Sequence, residues 1–107
     1  MRHLLRLHKM FRDDYHAAKR AVQEPERLDA ELKKIAAMLR QNQNLPPRYV
    51  SNLLLVEGIG WHECFVYSDK KTVIILQYKI EEHCTVLTRI GSPETLTEKR
   101  KFFTEPP

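Results

Sequence analysis

Leu45-Pro46-Pro47-Arg48-Tyr49, Trp61-His62-Glu63-Cys64-Phe65-Val66-Tyr67, the run from Thr72 to Ile80, and Leu87-Thr88-Arg89-Ile90-Gly91-Ser92 succeed one another in the second half of a 107-residue chain. The paired prolines force an extended linker, because a residue before proline is pushed out of the helical region. Residues 53–56 read as a short strand or a loop tucked into the core, and Gly58 and Gly60 allow a turn after them. Trp61 to Tyr67 alternates, with Trp61, Glu63, Phe65 and Tyr67 on one face and His62, Cys64 and Val66 on the other. Ser68-Asp69-Lys70-Lys71 reads as a hairpin tip. Thr72 to Ile80 is apolar on both faces, the mark of a central strand. Glu81-Glu82 turns the chain, and His83 to Ile90 returns as a further strand.

Outward from this core the periodicity changes from two to about 3.6. Phe11, Tyr15, Ala18 and Val22 share one face of a helix, with Arg12, Asp13, Lys19 and Arg20 opposite. Glu24-Pro25-Glu26 ends that helix and suits the start of another. The second buries Leu28, Leu32, Ile35, Ala36 and Leu39 and stops at Gln41-Asn42-Gln43-Asn44. A turn this short implies an antiparallel helical hairpin. His3 to Leu7 alternates loosely, as a short first strand would. At the other end Ser92-Pro93-Glu94 is a helix start, with a capping hydroxyl, a proline and an acidic first turn. Thr95 to Phe102 then forms a short terminal helix, and the tail 103–107 frays. The expectation is an α+β fold in one domain, residues 1–107, with the helical hairpin packed on a small twisted, mainly antiparallel sheet.

Composition narrows the class. Hydrophobic residues make up 42% and charged residues 30%, which fits a folded domain. No apolar run approaches the roughly 20 residues that span a bilayer, and MRHLLRL is too short and too charged for a signal peptide; a cytoplasmic protein with no membrane association is expected. A net charge of +4 favours an anionic partner such as nucleic acid. Cys64 and Cys84 stand alone on predicted strands, so free buried thiols are expected. His3, His8, His16, His62 and His83 are too scattered for a zinc set, and no metal or other cofactor is expected.

The chemistry-bearing candidates lie on the sheet. His62 and Glu63 are strand neighbours and point to opposite faces, so one of them can enter a given cleft and move protons. The alternative is an edge polar group beside a surface carboxylate. Arg89, at the end of the last strand, could grip a phosphate bidentately, or form an ion pair. Lys70 and Lys71 could touch a phosphate backbone, or be solvated. Trp61, Phe65 and Tyr67 could stack on bases, or line the core.

Taken together these elements resemble the YafQ branch of the RelE/ParE superfamily of bacterial toxin–antitoxin toxins, over most of residues 6–96. Arg6 to Tyr15 is similar to the family's opening, a short strand leading into a helix with a Phe…Lys-Asp pattern. Leu45-Pro46-Pro47-Arg48-Tyr49 looks like its Leu-Pro-Pro-x-Tyr linker. Trp61-His62-Glu63-Cys64 resembles its aromatic-Arg-Glu-Cys strand, and Arg89-Ile90-Gly91-Ser92 its Arg-x-Gly-Ser/Thr end. The resemblance implies a microbial RNase-type fold and a metal-independent endoribonuclease that cuts ribosome-bound mRNA. It also implies a cognate antitoxin that wraps the toxin. For an RNase with a rearranged site, the expected catalytic set is Arg89, Glu63, His62 and Tyr67, with Lys70, Lys71, Arg48 and Trp61 binding RNA.

The chain departs from the family at several sites. Asn52 or Leu53 stands where the family has its first His, Phe65 where it has the His after Glu-Cys, Pro93 where it has the last His, and Thr97 where it has Phe. Asp69 is the nearest counterpart of its hairpin Asp. Arg89 carries over unchanged. Two readings follow: an RNase with a rearranged site, as in RelE, which relies on Lys, Arg and Tyr; or a binding module that acts by protein contact, as gyrase-directed ParE relatives do.

Overall fold

The structure, a computed structural model, describes residues 3–41, 45–46, 49 and 61–99, the last three by backbone alone. Its elements in chain order are β1 (Leu4–Leu7), α1 (Phe11–Ala21), α2 (Pro25–Arg40), β2 (Trp61–Ser68), β3 (Val73–Ile80), β4 (Cys84–Gly91) and α3 (Pro93–Lys99). The strands form one sheet in the order β1-β4-β3-β2. β1 runs parallel to β4, and the other two pairings are antiparallel. The architecture is therefore α+β with a mixed, mainly antiparallel sheet. Arg48, residues 53–56, Gly58, Gly60 and the tail 103–107 lie outside the described residues.

The helices follow their apolar stripes. Phe11, Ala18 and Val22 are buried and Tyr15 half-buried along α1. Leu28, Leu32, Ile35 and Leu39 are buried along α2, which starts at Pro25 because the first helical N–H needs no partner. Each helix packs chiefly on a strand, α1 on β4 and α2 on β2. Their stripes meet Cys64, Val66, Tyr67, Ile74, Leu76, Tyr78, Leu87 and Ile90 in one core. Each fully buried Leu or Ile there contributes about 1.5–3 kcal/mol. α3 packs across β3 and β4. It begins at Pro93, within the expected start Ser92-Pro93-Glu94. The Ser92 hydroxyl accepts the Thr95 N–H at 3.2 Å, as a capping residue does.

Two bulges reset the faces of the sheet. The first lies in β2: Phe65 opposes Ile75 and Tyr67 opposes Ile74, which leaves Val66 as the extra residue. Strict alternation over 61–67 therefore fails at Val66. Tyr67 turns to the helix side, while Trp61, Glu63 and Phe65 stay on the opposite face, open only in that the α1 and α2 stripes pack on the other side. The second lies in β4, where Tyr78 opposes Leu87 and Gln77 opposes Arg89, with Thr88 extra. The Thr88 hydroxyl donates to the Gln77 carbonyl at 2.9 Å.

Candidate functional site

The two bulges put Glu63, Gln77 and Arg89 in one row across three strands, because Glu63 opposes Gln77 and Gln77 opposes Arg89. Directly opposed residues share a face. Without the extra Thr88, Arg89 would turn to the helix side. All three are buried, at 9%, 3% and 1% exposure. An ion-pairing carboxylate completes the row from α1. Asp14 accepts from Arg89 Nε on Oδ2 and from Arg89 Nη2 at 2.9 Å on Oδ1. The pair exists because β4 outruns β1. β1 covers β4 only as far as the Leu7–Leu87 pairing, and α1 closes the remaining edge. The His8 N–H donates to the Leu87 carbonyl at 2.9 Å, and the Ile90 N–H donates to Asp14 Oδ2 at 3.4 Å.

Arg89, expected to grip a phosphate or to form an exposed ion pair, is buried and makes a two-point ion pair with Asp14. Burying both charges is tolerable only because each satisfies the other with good geometry. The side-chain Nε2 of Gln77 is buried with no hydrogen-bond acceptor among the described residues. Buried amide donors of this kind are rare in folded proteins and cost about 1–3 kcal/mol.

The other expected site residues separate. His62 lies on the helix side, exposed, and stacks on Tyr78 with ring centroids 5.3 Å apart. It therefore sits across the sheet from Glu63. Trp61 is half-buried on the open face, with Lys79 Nζ 5.5 Å from its ring centroid. Tyr67, expected beside Glu63, is on the opposite face because of the Val66 bulge. Its hydroxyl donates to Asp69 Oδ2 and accepts the Glu24 N–H at 3.2 Å, and the Arg27 guanidinium lies 4.4 Å above its ring.

Asp69 is a structural hub of the hairpin tip. It accepts the N–H groups of Gln23 at 3.0 Å, Lys71 at 2.7 Å and Thr72 at 2.9 Å. Those backbone donors, that of Gln23 foremost, and the Tyr67 hydroxyl hold its carboxyl well below the usual carboxylate range. Lys70 and Lys71 stand exposed on the tip that it fixes.

A cleft of about 510 Å³ opens where α2 meets β2, lined among others by Arg27, Glu31, Tyr49, Phe65, Tyr67 and Ser68. Phe65 belongs to both regions, since it lines the cleft and shares the open face with Glu63. Both thiols are buried and free, and burial pushes that of Cys64 up to about 12. Among the described residues no group of three His, Cys, Asp or Glu side chains could hold a metal ion, and no helix is long and apolar enough to cross a membrane.

Asp14 and Gln77 were not anticipated, although both left a trace. Gln77 is the single polar residue between Val73 and Tyr78. Asp14 falls three residues after Phe11 and four before Ala18, on the buried stripe of α1.

No family model and no curated protein matches this chain. Solved structures do. The Escherichia coli DinJ–YafQ toxin–antitoxin complex matches with a TM-score of 0.69 at 22% identity, over 90% of this chain and 98% of that one. YafQ from E. coli strain BL21(DE3) matches at 0.66 and 23% identity, over 88% and 97%. A metal-bound toxin from Helicobacter pylori matches at 0.60 and 24% identity, over 90% and 99%. The element order, the mixed sheet and this near-complete mutual coverage give the chain the fold of YafQ.

Proposed function

We propose that the chain is the toxin of a type II toxin–antitoxin pair, and that it acts in the cytoplasm by cutting ribosome-bound mRNA without a metal. The observation that carries this reading is the buried row Glu63–Gln77–Arg89. It gathers a carboxylate, an amide donor and a guanidinium on the sheet face away from α1 and α2, in a fold shared almost end to end with YafQ in the DinJ–YafQ complex. In such a site a ribose 2′-hydroxyl attacks the adjacent phosphate to form a 2′,3′-cyclic phosphate, and the 5′-oxygen leaves and takes a proton from solvent water. Glu63 takes the proton of the attacking hydroxyl. Gln77 Nε2, with no acceptor among the described residues, donates to a phosphoryl oxygen, and Arg89 offsets the charge that develops there. Asp14 is the positioning residue that fixes the guanidinium plane. Trp61, Lys70, Lys71 and Arg48 bind the strand. His62 and Tyr67 drop out of the catalytic set, since one faces the helices and the other is engaged by Asp69. A cognate antitoxin, the counterpart of DinJ, covers this face.

The Asp14–Arg89 pair also favours a second reading, in which the guanidinium serves the fold and the protein acts by contact with a protein target. Phe65 and Pro93, where the resemblance expects imidazoles, point the same way. Inducing the chain in cells and mapping mRNA 5′ ends separates the two. New ends in translated messages support cleavage; growth arrest with intact messages refutes it. Gln77→Met is the sharper variant, because Arg89→Ala would strand Asp14 and confuse function with folding. Loss of new 5′ ends in a stable Gln77→Met protein places the amide in the site.

A further inference from the structure

The cleft between α2 and β2 has walls and edges of different chemistry. Phe65, Tyr67 and Tyr49 supply aromatic surface. Arg27 and Glu31, four residues apart and so on one face of α2, supply opposite charges. The Arg27 guanidinium is fixed by its position over Tyr67 and by donating to the Ser68 carbonyl at 2.7 Å. Glu31 is held by the Tyr49 hydroxyl, which donates to Oε2 at 3.1 Å, while Oε1 is 3.4 Å from Lys34 Nζ. Both oxygens keep accepting capacity, since a carboxylate offers about four lone-pair sites. A volume of about 510 Å³ is within the range of small-ligand pockets.

A planar ligand with an apolar face and two adjacent donors on one edge fits this set. Guanine is the nucleobase that presents two such donors, its ring N1–H and exocyclic amine, side by side to a carboxylate. Adenine, cytosine and uracil each set a donor beside an acceptor. Lys34, 3.4 Å from Glu31, and Arg27, which also pairs with Glu24 at 3.3 Å, supply positive charge that offsets Glu31 toward an anionic nucleotide. Phe65 is two residues along the same strand face from Glu63, about 7 Å, so the cleft adjoins the polar row. We infer that this cleft takes one unstacked guanine of an RNA strand, with Glu31 reading its Watson–Crick edge and Phe65 packing on the base. The inference rests on the RNA-cleaving reading and specifies which base that site holds.

The test is a titration of the purified protein with GMP, AMP, CMP and UMP, followed by NMR of the Phe65 and Tyr67 ring signals. GMP is expected to bind about tenfold more tightly than the other three and to shift both rings. Glu31→Gln is expected to abolish that preference, and Phe65→Ala to weaken all four nucleotides alike. Equal binding of the four, GMP binding unchanged by Glu31→Gln, shifts confined to Lys70 and Lys71, or binding of a short peptide in the cleft in place of any nucleotide each overturns it. The mRNA 5′-end map separates the two proposals. Cleavage with no guanine beside the cut, identical in Glu31→Gln, refutes the base assignment and leaves the nuclease standing. Intact mRNA refutes the nuclease, and the GMP titration then decides the cleft on its own.

Discussion

Asp14→Ala leaves the Arg89 guanidinium buried at 1% exposure with its two-point partner removed. Breaking a buried ion pair from one side costs about 3–5 kcal/mol. A domain of this size has roughly 5–15 kcal/mol of total stability, so the loss is a large fraction of the whole. Replacing both partners with apolar residues of similar bulk, Asp14→Leu with Arg89→Met, removes the stranded charge. What persists is the Ile90 N–H, which donates to Asp14 at 3.4 Å and would lose its acceptor, at a cost of about 1 kcal/mol. The double variant should therefore lie within about 1 kcal/mol of the parent while Asp14→Ala falls well below it. Urea unfolding followed by the fluorescence of Trp61, the one tryptophan of the chain, reads the difference directly. With a slope of about 1–3 kcal/mol per molar urea, Asp14→Ala should lower the midpoint by about 2 M and the double variant by under about 1 M. An unchanged midpoint in Asp14→Ala would refute a desolvated pair, and a double variant as unstable as the summed singles would refute mutual compensation.

Gln77→Met should raise stability by about 1 kcal/mol, because it removes a buried donor without an acceptor, while mRNA cleavage is lost; a stability gain with full activity would take the amide out of the site. His8 should make the fold sensitive to mild acid. Burial, with Lys9 and Arg89 nearby, lowers its pKa below the ordinary 6.5, and its Nδ1 accepts the Met10 N–H at 3.2 Å at the head of α1. The unfolded chain takes the proton first, so this contribution is present above about pH 6.5 and is lost as pH falls from there toward the folded pKa. Urea midpoints at pH 5, 6 and 7 should drop less steeply in His8→Asn, whose side-chain oxygen can keep the bond without titrating; identical slopes would remove His8 from the effect.

The helices, the central strand and the hairpin tip were legible because each rests on a local pattern. The stripes Phe11–Val22 and Leu28–Leu39, the doubly apolar run before Ile80 and the Asp69–Lys71 turn all signal through neighbours in sequence. What escaped was set by pairing between strands. A bulge adds one residue to one partner, and nothing within Phe65-Val66-Tyr67 or Leu87-Thr88-Arg89 announces it. Yet that residue decides whether Tyr67 or Arg89 faces the helices or the open side. The Asp14 partnership escaped for the same reason, since it joins positions 75 residues apart. The candidate site was thus half legible: Glu63 and Arg89 stood out by residue type, whereas their shared row depended on register.

The parallel pairing of β1 with β4 joins Leu4 to Cys84 and Leu7 to Leu87, the two ends of the described chain. Contacts this distant in sequence form late and slowly, because loop closure precedes any reward. During synthesis β1 and α1 emerge first and wait, without their partner strand, for nearly all of the remaining sheet. Asp14 has no Arg89, and Glu63 and Gln77 have no third neighbour, until β4 has left the ribosome. A nascent chain shorter than its first 91 residues cannot hold the row. The polar row is thereby the last part of the sheet to be completed as the chain is made.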